Sequence, residues 1–280
     1  MRINLCGTRG STPAPGRDFV RYGGHTSCLA VTADGAAGPE LLLDAGTGIR
    51  QVTGLLAGGP FRGTIALTHL HWDHVQGLPF FAAGDRDDAR VSLLLPEPVE
   101  GTGAEAALER GFSPPNFPIT PRQLRGDWTI AGLEPGEIRR GQLTLLARQI
   151  PHKGGRAFGY RVSDGRRSFA YLPDHCPTDL GSGPGGLGAY HEAALELAAG
   201  ADILMHDSFW YAEDFDPART FGHAAAEYAI GLAETAGAKR VLLLHHRPDR
   251  TDAELEKKAA TLGDSQVPVT LAADGEVICL

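Results

Sequence analysis

Short apolar runs recur along the chain at strand length, at residues 3–5, 27–31, 41–43, 64–68 and 91–95, bounded by Gly, Pro, Asp and Asn. Asp34-Gly35 marks a turn between the second and third runs, and the Gly/Pro/Ser/Thr segment 7–17 reads as a loop. A helix is expected over 49–56. From 96 to 141 the pattern loosens, because Pro114, Pro115 and Pro118 interrupt any long helix and large apolar residues are sparse, as in a lid or insertion. Order returns with runs at 143–150, 157–162 and 168–172, the last two joined by the hairpin signal Ser163-Asp164-Gly165-Arg166. Helical spacing over 189–199 and 222–236 then alternates with strands at 202–205 and 240–244. A last helix over 252–262 precedes two strands, 267–271 and 276–279, around an Asp274-Gly275 turn. Strands with few helices come first, and strands interleaved with helices follow. That order predicts one α/β domain over 1–280, built from two sheets packed face to face and covered by helices, with 96–141 as a lid or insertion.

Composition narrows the range of partners. A chain of 280 residues with 42% hydrophobic content can bury a large core. Its formal charge of −8 offers no bulk attraction to nucleic acid or an anionic membrane, so any phosphate-bearing partner must be held locally and a long polyanion is disfavoured. Cys6, Cys28, Cys176 and Cys279 lack the paired spacing of a zinc finger or disulfide framework and read as reduced thiols. Residues 1–7 have no signal-peptide apolar run, and no stretch reaches membrane-spanning length, so a cytoplasmic protein is expected. Exposed Pro-rich segments on an acidic chain are compatible with a homodimer.

The densest chemistry lies in Thr68-His69-Leu70-His71-Trp72-Asp73-His74, directly after the run 64–67. Three imidazoles and one carboxylate crowded at a strand end have the donor types of a metal site. A strand end or tight loop puts alternate residues on one side, so His69 and His71 can converge on one ion while Asp73 and His74 turn toward a second. Further donors stand at further strand ends: His152, Asp174, and His245 or His246. Strand ends along one sheet edge converge, so the distribution points to a two-metal centre assembled from several loops. Asp44, in the glycine-rich Asp44-Ala45-Gly46-Thr47-Gly48, is either a turn cap or a carboxylate that orients a metal-bound histidine.

With these residues the chain resembles the metallo-β-lactamase-fold hydrolases, and within them the branch of ribonuclease Z and bacterial phosphodiesterases. His69, His71, Asp73 and His74 match that family's two-zinc motif. The resemblance implies His152 as the third ligand of the first metal, Asp174 in Tyr171-Leu172-Pro173-Asp174 as the bridging carboxylate, and an αβ/βα four-layer sandwich. Counted from Gly222-His223, the branch's last ligand falls on His245, three positions before Pro248, with His246 facing the opposite side. His223 resembles the branch's catalytic histidine, which binds no metal and stabilises or protonates the leaving oxygen. Asp207 stands where relatives carry a glutamate that orients this histidine, and its shorter side chain raises the expectation of a water between the two. Asp73 is counted with His223 and Asp207 as catalytic as well as with the ligands.

The function implied is a metal-dependent hydrolase, specifically a phosphodiesterase for a small phosphodiester such as a cyclic nucleotide. Two divalent ions sharing Asp174 would lower the pKa of a bridging water and supply hydroxide near neutral pH. Histidine at both of the first positions favours zinc, with manganese as an alternative. No Gly- and Lys-rich arm of the tRNA-processing enzymes is evident, which with the acidic charge argues against nucleic acid and against a tRNA 3′-end endonuclease. A lactone or thioester hydrolase and a non-catalytic small-molecule carrier of the same fold stay open. Arg9, Arg17, Arg21 and Lys153 are candidate phosphate contacts or ordinary surface charges. His25 stands where relatives tend to have asparagine, near the site or structural, and the Pro-rich stretch 112–118 is a cover over the centre, a surface loop or a dimer contact.

Overall fold

The computed structural model describes residues 1–98 and 101–280. Among the described residues, fourteen strands form two seven-stranded sheets. In chain order they are β1 Arg2–Gly7, β2 Cys28–Thr32, β3 Leu41–Leu43, β4 Arg62–Ala66, β5 Arg90–Pro96, β6 Asp127–Leu133, β7 Gly136–Arg140, β8 Leu143–Ile150, β9 Ala157–Ser163, β10 Ser168–Leu172, β11 Ile203–Asp207, β12 Val241–Leu244, β13 Val269–Leu271 and β14 Val277–Cys279. The helices are α1 Ile49–Leu55, α2 Trp72–Val75, α3 Ala104–Glu109, α4 Glu192–Ala198, α5 Ala226–Ala236 and α6 Asp252–Ala259.

The first sheet runs β14-β1-β2-β3-β4-β5-β6 and the second β13-β12-β11-β10-β9-β8-β7. Each has an antiparallel half and a parallel half. Strands β3 to β6 are parallel, as are β10 to β13, and helices α1, α4, α5 and α6 lie on the crossovers between successive parallel strands. Parallel neighbours need such crossovers, which explains the helices interleaved in the later half of the sequence. Alternation places Leu41, Leu43, Phe158, Tyr160, Phe169, Tyr171, Ile203 and Met205 between the sheets. Their neighbours Leu42, Ile65, Ala170 and Leu204 face outward into layers closed by helices. With both faces covered, β3, β10 and β12 are buried at every position and read as unbroken apolar runs. Each fully buried side chain of this size contributes about 1.5–3 kcal/mol. The α/β sandwich expected from the sequence is the architecture found.

Four local expectations differ from the structure. The stretch 96–141, read as a lid or insertion, supplies β6 and β7, one edge strand of each sheet. Both alternate exposed and half-buried residues, so they lack the continuous apolar run that marks the central strands. Residues 72–75, expected as a strand end or tight loop, form a helical turn. Helix α5 starts at Ala226, leaving Gly222-His223 in the turn before it. The last two strands are not a hairpin: β13 pairs with β12 and β14 with β1, so the Asp274-Gly275 turn passes from one sheet to the other. No helix among the described residues is long and apolar enough to cross a membrane.

Candidate metal centre

The parallel strands deliver their carboxyl ends to one edge of the sandwich. Asp44 follows β3, residues 68–74 follow β4, Asp174 follows β10, Asp207 ends β11 and His245 follows β12, with His152 arriving from β8. Ligand sites of open α/β sheets form where parallel strands end, because the crossover helices leave that crevice uncovered. His69 and His71 precede the α2 turn, and that turn carries Asp73 and His74, both buried.

Two donor groups result. His69, His71, His152 and Asp174 form one, and Asp73, His74, Asp174 and His245 the other, with the donor atoms of each group within 4.8 Å of one another. Asp174 belongs to both. Its Oδ2 lies 3.6 Å from His69 Nε2 and 3.4 Å from His152 Nε2, while its Oδ1 lies 3.0 Å from His74 Nε2 and 3.1 Å from His245 Nδ1. The Asp73 carboxylate is 3.2 Å from His74 Nε2 and accepts from the Ser11 amide at 2.8 Å. Gly10 passes so close that a Cβ there would stand 2.3 Å from the His245 ring.

Hydrogen bonds behind the cluster set which ring nitrogen faces it. His74 donates from Nδ1 to Asp44 at 2.8 Å, and His152 donates from Nδ1 to the Gly222 carbonyl at 2.7 Å. His69 Nδ1 lies 3.0 Å from the Thr68 hydroxyl, which itself donates to Asp44 at 2.9 Å. The opposite nitrogens therefore present lone pairs inward. His69 Nε2, His74 Nε2, His245 Nε2 and Asp174 Oδ1 are buried without a hydrogen-bond partner. Orphaned polar atoms of this kind are costly, and several converging on one spot fit a cation-binding donor set. Electrostatics agree. Burial, with His74 and other nearby imidazoles adding to it, pushes His69 well down, and burial lowers His71 and His245. Burial would raise Asp174, but His245, His74 and His69 hold its carboxyl well below the usual range. His74 is the exception: burial would lower it, yet Asp73, Asp174 and Asp44 around it raise its proton affinity well above that of an ordinary imidazole, a concentration of carboxylate charge that a divalent ion would neutralise in the proton's place. Imidazole lone pairs and ionised carboxylates at this density suit divalent ions.

His223 stands beside the cluster and outside both donor groups. Its ring stacks on Phe209 at 4.3 Å between centroids, and its Nδ1 lies 3.0 Å from Asp207 Oδ2. The expected intervening water is therefore unnecessary: β11 ends at Asp207 itself, so the shorter side chain starts close enough to reach. Asp207 is further locked by the backbone amides of His175, Ala224 and Phe209. Against the effect of burial, Asp207 raises the affinity of His223 for a proton. His246 turns away to the Ala272 carbonyl at 2.9 Å, and burial pushes it down to about 3.

The candidate cations sort clearly. Arg9 is fully buried and caps the backbone carbonyls of Gly23, Arg247 and Arg250, Arg21 pairs with Glu256, and Arg17 is exposed beside Asp18. Only Lys153, of the four, lines the cavity at His69 and His71. His25 stays outside the cluster with its ring near Thr47 at 3.4 Å. Sequence reasoning missed two features. Asp274 accepts from Thr8 N and His25 N, tying both site-flanking loops to the turn between the sheets. His191, His175 and His206 form a row with ring nitrogens 2.8 and 2.9 Å apart, ending on the Asp207 carbonyl. The available signal was a histidine directly after Asp174 and another directly before Asp207.

The profile of the β-lactamase superfamily domain matches residues 40–246, which span this whole set from Asp44 to His245. The chain belongs to the β-lactamase superfamily. Ribonuclease Z of Methanothermobacter thermautotrophicus is 26% identical over 310 aligned positions, covering 98% of this chain and 94% of that protein. The metallo-β-lactamase-fold protein YhfI from Bacillus subtilis superposes with a TM-score of 0.70 at 20% identity, covering 99% of this chain and 98% of that one. A diphosphatase of the PhnP family superposes with a TM-score of 0.66 at 20% identity, covering 100% and 97%. This superfamily member is thus a metallo-β-lactamase-fold hydrolase, and the fold implies divalent ions at the cluster. Relatives named ribonuclease Z leave the argument against a nucleic-acid partner without support.

Proposed function

We propose that this protein is a metal-dependent phosphodiesterase acting on a small phosphodiester such as a cyclic nucleotide. His69, His71, His152 and Asp174 would hold one divalent ion and Asp73, His74, Asp174 and His245 the other, zinc being the metal that imidazole-rich donors favour. Bound there, the ions supply Lewis acidity, polarising a phosphoryl oxygen and lowering the pKa of water. The observation that carries the reading is the His223–Asp207 pair at 3.0 Å beside the cluster. Asp207 accepts from His223 Nδ1, so Nε2 is the nitrogen that gives a proton to the departing alkoxide oxygen. Phe209, stacked at 4.3 Å, keeps the ring in that plane. Lys153, exposed at the mouth of the cavity, attracts the phosphate's remaining charge.

The relatives named ribonuclease Z favour a second reading, cleavage of an RNA phosphodiester. One assay separates these readings from lactone hydrolysis: zinc- or manganese-loaded protein is given bis(p-nitrophenyl) phosphate, a cyclic nucleotide, a precursor tRNA and a lactone. Turnover of the first two, abolished by Asp174→Ala, is expected. His223→Ala should lower kcat about 10²- to 10⁴-fold while the metal content stays at two ions per chain. Hydrolysis of the lactone alone would sink the proposal, and preferential cleavage of the precursor tRNA would replace it with the second reading.

A further inference from the structure

Two adjoining cavities run outward from the metal centre. The inner one, about 310 Å³, is lined by His69, His71, Lys153 and Arg156. The outer one, about 510 Å³, is lined by Trp72, Phe80, Phe112 and Phe117. Leu70, Ala107 and Arg110 belong to both, so the two are one groove. The outer volume is of the size that encloses a small-molecule group.

Its aromatic lining is unusual for a surface. Trp72 is 77% exposed and Phe80 59% exposed. Topology accounts for where Trp72 points: the α2 turn buries Asp73 and His74, which leaves the residue between His71 and Asp73 facing outward. It does not account for the residue type, since a polar side chain there would face water at no cost and Trp72 adds nothing to the core. Phe80 meets Phe117 edge to face at 5.8 Å, and Phe117 meets Phe112 at 5.0 Å, so the far wall is a packed set of rings. Exposed aromatic surface continuous with a reaction centre marks a place where substrate is covered.

We propose that this groove takes the nucleobase of a nucleoside phosphodiester, stacked against Trp72 and Phe80 while its phosphate lies at the metal centre. The inference rests on the phosphodiesterase reading above. Two observations favour a base over an alkyl chain. The exposed large side chains of the lining, Trp72 and Phe80, are flat π faces, while the branched Leu70 and Val75 are only half-exposed, and stacking on such faces is sequence-tolerant and strong for every base. Gln76 and Asn116 also line the groove. Each uses its amide nitrogen within the protein, on Thr26 Oγ1 and on the Arg110 carbonyl, leaving an amide oxygen to accept from an exocyclic amino group. Trp72 also lies between His71 and Asp73 in the chain, which sets the groove beside the donor set.

The test holds the leaving group constant and varies the other ester. kcat/KM is measured for thymidine 5′-(p-nitrophenyl) phosphate and for methyl p-nitrophenyl phosphate on the metal-loaded protein. The nucleoside ester should be preferred, Trp72→Ala should cut that preference by roughly five- to a hundredfold, Phe80→Ala should also reduce it, and Trp72→Phe should restore most of it. A preference unchanged by Trp72→Ala and Phe80→Ala overturns the proposal, and an equal loss on both substrates assigns the groove to the leaving group and overturns it too. A second readout does not need turnover: thymidine 5′-monophosphate should quench tryptophan emission in the native protein and not in Trp72→Phe. If neither ester is hydrolysed, the phosphodiesterase reading fails on its own; quenching lost in Trp72→Phe then still supports the groove, and no quenching overturns it.

Discussion

Asp44 adopts a left-handed backbone at φ 62°, a conformation that costs energy for a residue with a side chain and persists only where the surroundings over-determine it. Here they do. Its carboxylate receives the Thr68 amide and hydroxyl, the Tyr171 hydroxyl and His74 Nδ1. One buried carboxylate thereby sets the tautomer of His74 directly and supports that of His69 through Thr68. Asp44→Asn keeps the volume and removes the charge, and it should weaken zinc affinity about 10- to 100-fold, read by competition with a chromophoric chelator. An unchanged affinity would reduce Asp44 to a turn cap, the other reading its sequence context allowed. In the sequence, donor identity was legible one residue at a time, whereas the hydrogen bond behind each donor was not. Thr68 and Tyr171 look like ordinary strand residues until folding brings them to Asp44.

At the scale of elements, the site follows from strand direction. Parallel strands β10, β11 and β12 leave their carboxyl ends at the metal centre and their amino ends at the opposite edge. There Asp202 joins them, accepting from Lys239 at 2.8 Å, Arg167 at 3.0 Å and the Ser168 amide at 2.9 Å. Burial opposes ionisation, but Lys239, the Ser168 amide and Arg167 hold its pKa at about 2 against an ordinary 3.8. A depressed carboxylate pKa means stability that is present above pH 3.8 and lost as the pH falls through about 2. Lys239 and Arg167 are 63% and 54% exposed, so solvent screening limits the effect. Asp202→Asn should cost about 1 kcal/mol by urea unfolding at pH 7 and much less near pH 2; a pH-independent cost would rule out the ion pairs as its source. The central strands were legible because both faces are covered and their apolar runs are continuous. Edge strands β6 and β7 were not, since a half-exposed strand with glycines and charges carries the same pattern as a loop.

Across the whole molecule, the donors come from both sheets. His69, His71, Asp73 and His74 belong to the segment after β4 in the first, and His152, Asp174 and His245 to strand ends of the second. Ions held between them would link the two halves of the sandwich and stabilise the folded chain by mass action. Dialysis against a chelator should therefore lower the melting temperature by on the order of 5–10 °C, with recovery on adding zinc, as followed by scanning calorimetry. A melting temperature unmoved by chelation would count against ions bridging the sheets. By itself the sequence determined the local matters: strands and turns from apolar runs and their punctuation, the α/β class from the order of elements, and a metal centre from donor types packed into His69 to His74. These are properties of neighbours along the chain. Only the tertiary structure decided which Asp174 oxygen faces which donors, that Asp207 reaches His223 directly, that Arg9 is a buried backbone clamp, and that Trp72 opens onto a groove walled by Phe112 and Phe117. Each depends on contacts between residues far apart in sequence, set by strand direction and by which sheet each strand joins, and the apolar pattern of a single strand carries neither.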